Sequence, residues 1–91
     1  MKITIKEKEI ELKYSIRALM MFENVADKSF GFNTLSDMIV LFYCVILTSA
    51  KDYTLDYNDF LDWIDEDSSV LQDFSKWVTT VTANQSKLKK N

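Results

Sequence analysis

The sequence has no histidine, no proline, one glycine and one cysteine among its 91 residues. Without histidine, the chain lacks the commonest general base and the commonest protein ligand of transition metals. The single cysteine, Cys44, excludes an internal disulfide, so we expect a reducing compartment such as the cytosol. With one glycine and no proline there are few positions for sharp turns. This favours helices joined by short polar connectors over a many-stranded β fold.

Sequence motifs of enzymes and metal sites are also missing. The sequence contains no glycine-rich phosphate loop, no paired-cysteine metal motif and no nucleophile elbow. An EF-hand loop that started at Asp65 would place Val70 and Lys76 where glycine and glutamate are required. Cys44 lies within an apolar run, whereas a catalytic thiolate needs a polar or positive setting. We therefore expect no enzymatic activity, no catalytic residue, no cofactor and no metal site.

Charge and hydropathy limit the class of protein further. The net charge is −3, whereas a nucleic-acid-binding surface needs clustered positive charge. The N-terminus is charged and alternating, so no signal peptide is expected. The longest apolar run, residues 38–47, is much shorter than the roughly 20 residues that cross a bilayer. We expect one small soluble domain that binds neither nucleic acid nor membrane.

The hydrophobic period changes at Ser15. Residues 9–14 alternate between apolar and charged, which is the two-residue period of a half-buried strand. After Ser15, the residues Ile16, Leu19 and Met20 recur at helical spacing, and Phe22 and Ala26 widen this apolar stripe, so we expect Ile16 to face inward. Ser15 is a good helix N-cap because its hydroxyl can accept a bond from a backbone N–H of the first turn. With the alternating residues 2–6, this predicts a β-hairpin over 2–14 and a helix over 16–27.

The rest of the sequence predicts three more helices. Asn33 or Thr34 caps a helix over 35–50, which is apolar on every side and must be surrounded, partly by an oligomer contact. Asp56 caps a helix over 57–65. A regular three-and-four spacing of apolar residues, Trp77 among them, predicts a helix over 69–83, followed by a polar, basic tail over 84–91. The expected fold is α+β, mostly α, with an N-terminal β-hairpin followed by about four helices around a central apolar helix. Residues 1–83 would form a single compact domain.

Eight of the fourteen acidic residues fall between positions 52 and 73, with no lysine or arginine among them. They are either a solvated acidic face with helix caps or a docking surface for a basic partner. Trp63 lies between Asp62 and Ile64, and it is either a packing residue or a contact residue of the kind enriched at interface hot spots. Taken with the apolar helix, these features give four candidate residues of a protein interface: Phe42, Asp59, Asp62 and Trp63.

Five segments of the sequence, taken in order, resemble a known family. They are the hairpin I-T-I-K-E-K-E-I-E-L-K-Y, the helix start S-I-R-A-L-M-M-F-E, the connector D-K-S-F-G-F-N-T-L-S-D, the apolar helix M-I-V-L-F-Y-C-V-I-L, and Y-T-L-D-Y-N-D-F-L-D-W-I-D-E-D. Over residues 1–74 the chain resembles the small tail assembly chaperones of long-tailed bacteriophages and related prophages. The resemblance implies a non-enzymatic binding protein in the cytoplasm of the bacterial host, which works as an oligomer. It would coat the tape measure protein and help to recruit tail tube subunits.

Two further expectations accompany the resemblance. Many members of that family are made in two lengths by a programmed ribosomal frameshift, and the final Lys89-Lys90-Asn91 can be encoded by an A-rich slippery heptamer. A longer, frameshifted product is therefore a hypothesis for this chain. The alternative to a tail assembly chaperone is a small acidic inhibitor whose carboxylates imitate nucleic acid and bind a host protein.

Overall fold

The computed structural model describes residues 1–28, 31 and 34–89, with side chains described as far as residue 82. Asn33, the alternative cap of the second helix, and tail residues 90 and 91 lie outside this range. The elements are β1 (Lys2–Ile5), β2 (Lys8–Glu11), α1 (Ile16–Ala26), α2 (Leu35–Ser49), α3 (Tyr57–Glu66) and α4 (Ser69–Lys89). The predicted fold class is confirmed: the chain is α+β, mostly α, with an antiparallel β-hairpin followed by helices.

The β-hairpin closes through a two-residue turn at Lys6 and Glu7, whose φ angles are 50° and 66°. Two consecutive positive φ angles are the mark of a type I′ turn, whose twist matches that of the strands. The second strand ends at Glu11, earlier than predicted, because the ladder with β1 stops at the bond between Leu12 and Met1 and the following N–H bonds to α2. The Leu12 N–H donates to the Met1 carbonyl at 2.7 Å, and the Lys13 N–H donates to Ser49 Oγ at 2.9 Å. One face of the hairpin enters the core through Ile3, Ile5, Ile10 and Leu12.

Helix α1 starts at the predicted cap, where the Ala18 N–H donates to Ser15 Oγ at 3.2 Å. It ends one residue before the predicted limit, because Asp27 adopts a left-handed conformation with φ 56°. Its buried face contains Ala18 and Phe22, whereas Ile16 is 69% exposed. The prediction that Ile16 faces inward is therefore wrong. Ile16 and Ala18 are two residues apart, so they point to nearly opposite sides of the helix, and only one side packs against the core.

Helix α2 forms the centre of the core, as predicted, and it is antiparallel to α1. Lys13, just before α1, bonds to Ser49 at the end of α2, and Lys28, just after α1, lies 2.7 Å from the carboxylate of Asp37 in the first turn of α2. The fully buried residues of α2 are Leu41, Phe42, Cys44, Val45 and Ile46. Its other large apolar side chains pack partly buried against the core, and their role in an oligomer stays a prediction.

Helices α3 and α4 pack against α2, where the rings of Phe60 and Phe74 contact that of Phe42. Asp56 caps α3 as predicted, since its Oδ2 accepts from the Asn58 N–H at 3.0 Å and the Asp59 N–H at 3.3 Å. Asp67, between the two helices, accepts from the N–H and the hydroxyl of Ser69. Helix α4 continues to Lys89, beyond the predicted end at residue 83. The segment 84–89 contains no glycine or proline to stop the helix, so six residues of the predicted tail are helical.

Candidate protein-docking surface

Phe42, one of the four predicted interface residues, is fully buried in the core of this chain. Its ring stacks on that of Phe74 with centroids 4.2 Å apart, and it meets the ring of Phe60 edge-on at 5.4 Å. Because α3 and α4 enclose this part of α2, the Phe42 side chain has no surface to offer a partner. The prediction of an interface role for Phe42 is therefore wrong, and its role is to pack the core.

The other three predicted residues lie together on the surface of α3. Asp59, Asp62 and Trp63, with Lys6 from the hairpin turn and Glu66, line a hollow of about 320 Å³. Positions 59, 62, 63 and 66 are three, four and seven residues apart, which places their side chains on one face of a helix. The helical spacing of α3 therefore brings three sequence-predicted residues into one site.

Trp63 connects this hollow to a second one. The second hollow, of about 260 Å³, lies between β1 and the start of α4, and Trp63 lines it together with Val70 and Asp73. The inner side of the indole packs on Phe42 and Phe60, with ring centroids at 5.8 Å and 6.2 Å, so its position is fixed by the core. We call the combined surface the Trp63 strip. It consists of Asp59, Asp62, Trp63, Glu66, Asp67, Val70 and Asp73.

The Trp63 strip is strongly acidic. It carries five carboxylates, and the cations among the residues that line the two hollows are Lys2, Lys6 and the N-terminal ammonium group of Met1, which pairs with Glu11. The Lys6 Nζ lies 2.6 Å from Asp59 Oδ2, and this hydrogen bond raises the pKa of the lysine. The hydrogen bonds from Ser69 lower the pKa of Asp67, so this carboxylate is held in its charged form.

Three carboxylates of the strip remain available to a partner. Among the described side chains, no lysine or arginine forms an ion pair with Asp62, Glu66 or Asp73. The strip therefore combines a fixed, half-buried indole with uncompensated negative charge. A large aromatic side chain bordered by polar groups is a usual composition for a protein interface, in which Trp is enriched at hot spots.

Two of the remaining acids of the stretch have roles of their own. Asp52 lines a third hollow, of about 350 Å³, beside β2 and the end of α2. Asp56 accepts the hydrogen bonds that cap α3. The acids from position 52 to 73 therefore do not all belong to one anionic face, since Asp52 lines a different hollow.

A metal site, a reactive cysteine and a membrane-spanning helix have little support in the described part of the chain. No group of three or more potential metal ligands occurs there. Cys44 is buried, and burial raises the pKa of its thiol to about 11, which disfavours the nucleophilic thiolate. Within the described residues, every helix is too short or too polar to span a bilayer.

Sequence reasoning missed several residues of the strip. Glu66 was identifiable, since it lies one helical turn from Trp63. Val70 and Asp73 belong to α4, and Lys6, which borders the strip, belongs to the hairpin turn, so their place beside Trp63 depends on how α4 and the hairpin pack on α3. Comparison with protein-family models, with curated proteins and with solved structures found no match for this chain. Function is therefore inferred from the surface itself and from the residues of the sequence.

Proposed function

We propose that this protein is a small tail assembly chaperone of a long-tailed bacteriophage or prophage. In the cytoplasm of the bacterial host it would bind the tape measure protein and help to recruit tail tube subunits. The observation that carries the proposal is the Trp63 strip, a docking surface on a fold whose order of elements is the one that the resemblance implies.

The composition of the strip suits a partner that must later be released. Trp63 supplies apolar contact area and loses little side-chain entropy on binding, because Phe42 and Phe60 already hold one side of its ring. The carboxylates around it speed the approach of a basic partner more than they tighten the complex, and salt screens their contribution. An interface of this kind favours rapid and reversible binding.

A small acidic inhibitor that imitates nucleic acid is the second candidate. The five carboxylates of the strip favour it, but Trp63 at the centre of the strip and Lys6 at its edge do not, since a mimic of a phosphate backbone needs an uninterrupted row of negative charge. Asp52 also lies away from the strip, in the hollow beside β2. These observations therefore favour the tail assembly chaperone over the nucleic-acid mimic.

We expect the tape measure protein to be a long helical protein encoded just downstream of this gene, and co-expression with such a protein tests the proposal. We expect the two to co-purify, and we expect Trp63→Ala and the pair Asp62→Asn with Glu66→Gln to reduce the yield of complex at least fivefold. Asp52→Asn is the matched control, because it removes one negative charge from a different hollow. A failure of the wild-type protein to capture the downstream protein would reject the chaperone role. Equal loss in the control variant would show that the Trp63 strip has no special part in it.

Two finer parts of the proposal have their own tests. A longer product requires a slippery run near the stop codon and an overlapping downstream frame, and the nucleotide sequence of the gene shows whether both exist. Homo-oligomer formation predicts a sedimentation coefficient that rises with protein concentration. A monomer over the whole concentration range would remove the oligomer from the proposal and leave the docking surface in place.

A further inference from the structure

One edge of the hairpin has backbone groups that no other strand engages in the described part of the chain. In the antiparallel register, Ile3 pairs with Ile10 and Ile5 with Lys8. Hydrogen-bonded and non-hydrogen-bonded pairs alternate, and the pair that closes a two-residue turn is hydrogen-bonded. The bond from the Leu12 N–H to the Met1 carbonyl confirms this alternation.

The backbone groups of Lys2 and Thr4 therefore point away from β2. Both residues occupy non-hydrogen-bonded positions, Lys2 opposite Glu11 and Thr4 opposite Glu9. Their N–H and C=O groups form the outer edge of β1. A strand edge of this kind is a template for pairing with another extended chain.

The outer edge of β1 and part of the Trp63 strip line the same hollow. Residues 1–4 form one wall of the 260 Å³ hollow, and Trp63, Val70 and Asp73 belong to the wall formed by α3 and α4. No helix or strand fills the space between the two walls in the described residues. A chain that paired with Lys2 and Thr4 would therefore lie against Trp63 and Val70.

We propose that the edge of β1 binds an extended segment of a partner protein as a third strand, with apolar residues that alternate with Lys or Arg. The backbone of the segment would pair with Lys2 and Thr4, and its apolar side chains would cover Trp63 and Val70. Its long basic side chains would reach the carboxylates of the strip. This mode of binding takes affinity from main-chain hydrogen bonds and selectivity from alternate side chains.

The negative charge of the Trp63 strip favours a basic segment over a second copy of this chain. Pairing of β1 with β1 of another copy around a twofold axis would bring two Trp63 strips towards each other, each with five carboxylates. The carboxylates of the two strips carry like charges and would repel each other. A basic segment instead neutralises Asp62, Glu66 and Asp73. The inference rests on the docking role proposed for the Trp63 strip and does not depend on which protein supplies the segment.

The first test uses the peptide Ac-Gly-Lys-Val-Lys-Val-Lys-Val-Gly-amide and amide hydrogen exchange by NMR. At saturating peptide, we expect exchange at Lys2 and Thr4 to slow at least tenfold, since their outward N–H groups become hydrogen-bonded. The amides of Glu9 and Glu11, on the outer edge of β2, are the internal control and should not change. The same peptide with Glu in place of Lys should bind at least tenfold more weakly.

The second test separates strand pairing from simple charge attraction. Two further peptides carry N-methyl groups, one on its three valines and the other on its three lysines, so that side chains and charge stay the same. In an added strand only one of these sets faces β1. We expect one peptide to lose at least tenfold in affinity and the other to remain within about threefold. Equal binding of both would overturn the proposal.

A third test changes the protein. Thr4→Pro removes an outward N–H and leaves the ladder with β2 intact, and Glu9→Pro does the same at the directly opposite position on the other edge. Thr4→Pro should weaken binding of the lysine peptide at least tenfold, and Glu9→Pro should not. If Thr4→Pro unfolds the hairpin, the N-methylated peptides decide the question.

Three further results would overturn the inference. They are protection of Glu9 and Glu11 in place of Lys2 and Thr4, absence of protection at any concentration of peptide, and protection that rises with protein concentration when no peptide is present. The last result would assign the edge to a second copy. If Trp63→Ala still abolished capture of the downstream protein in those cases, the proposed function would stand and only the strand-pairing mode would fall.

Discussion

The rings of Phe42 and Phe74 stack with their centroids 4.2 Å apart and their planes 7° from parallel. This contact joins α2 to α4 at the centre of the core. Trp63 lies beside it, with its ring centroid 5.8 Å from that of Phe42. The stacked pair therefore holds the hydrophobic core together and also supports the inner side of the indole at the surface.

Replacement of Phe42 by alanine should lower the free energy of unfolding by about 3–5 kcal/mol, because it leaves a cavity among Phe60, Trp63 and Phe74. Urea denaturation followed by circular dichroism measures the change. Ile16→Ala is the control, and it should stay within about 0.5 kcal/mol because Ile16 is 69% exposed. A similar loss of stability in both variants would contradict the burial of Phe42 and the exposure of Ile16.

Replacement of Glu7 by glycine should stabilise the protein by about 0.5–1 kcal/mol. Glu7 has φ 66°, and a non-glycine residue in this region bears a steric cost of about 1–2 kcal/mol, part of which the higher entropy of glycine in the unfolded chain offsets. Thermal unfolding should show a raised midpoint. Glu9→Gly, in the middle of β2, should lower the midpoint because glycine weakens a strand. A lower midpoint for Glu7→Gly would mean that the turn is not type I′.

Removal of the Lys28 ammonium group should destabilise the protein by about 1 kcal/mol. Lys28 Nζ donates to the buried carboxylate of Asp37 at 2.7 Å and ties the end of α1 to the first turn of α2. Lys28→Met keeps most of the aliphatic stem, so chemical denaturation of this variant isolates the loss of the charged partner. Lys51→Met removes an exposed lysine and should have no measurable effect. Equal results for the two variants would show that the Lys28–Asp37 pair adds nothing to stability.

Cys44 should resist thiol reagents until the protein unfolds, because its side chain is fully buried. Burial raises its pKa from 9.0 to about 11, so the unfolded chain releases the thiol proton at a lower pH than the folded chain does. The stability that the neutral thiol contributes is therefore present below about pH 9 and lost as the pH rises towards 11.

The pH dependence is measured against Cys44→Ala, which has every other titrating group of the wild type. The free energy of unfolding of the wild type should fall relative to that of Cys44→Ala between about pH 9 and pH 11. A parallel dependence in the two proteins would contradict a raised thiol pKa. Rapid reaction of the native protein with a thiol reagent would contradict the burial of Cys44.

Short-range signals in the sequence predicted the elements well. The caps at Ser15, Thr34 and Asp56 were identifiable because each side-chain oxygen bonds to a backbone N–H only two or three residues away. The class of the fold followed from the change of period at Ser15 and from the scarcity of turn residues. The sequence predicts an earlier end for α4 because residues 84–89 are polar, but this segment has no glycine or proline to stop the helix.

The inward face of α1 was not determined by its sequence. Apolar residues occupy two stripes of this helix, one with Ile16 and Met20 and the other with Ala18 and Phe22, and periodicity does not rank them. The packing of α1 beside α2 buries the second stripe and leaves the first in solvent. Phe42 was misplaced for a related reason, since an apolar helix has no polar face to show which residues are covered.

The sequence alone determined the order of the elements, the class of the fold and the grouping of Asp59, Asp62 and Trp63, because helix spacing is a local property of the chain. Only the tertiary structure decided that Phe42 belongs to the core and that Val70, Asp73 and the outer edge of β1 lie beside Trp63. These residues are distant in sequence, and they meet because the hairpin, α3 and α4 bury their apolar faces against the same central helix.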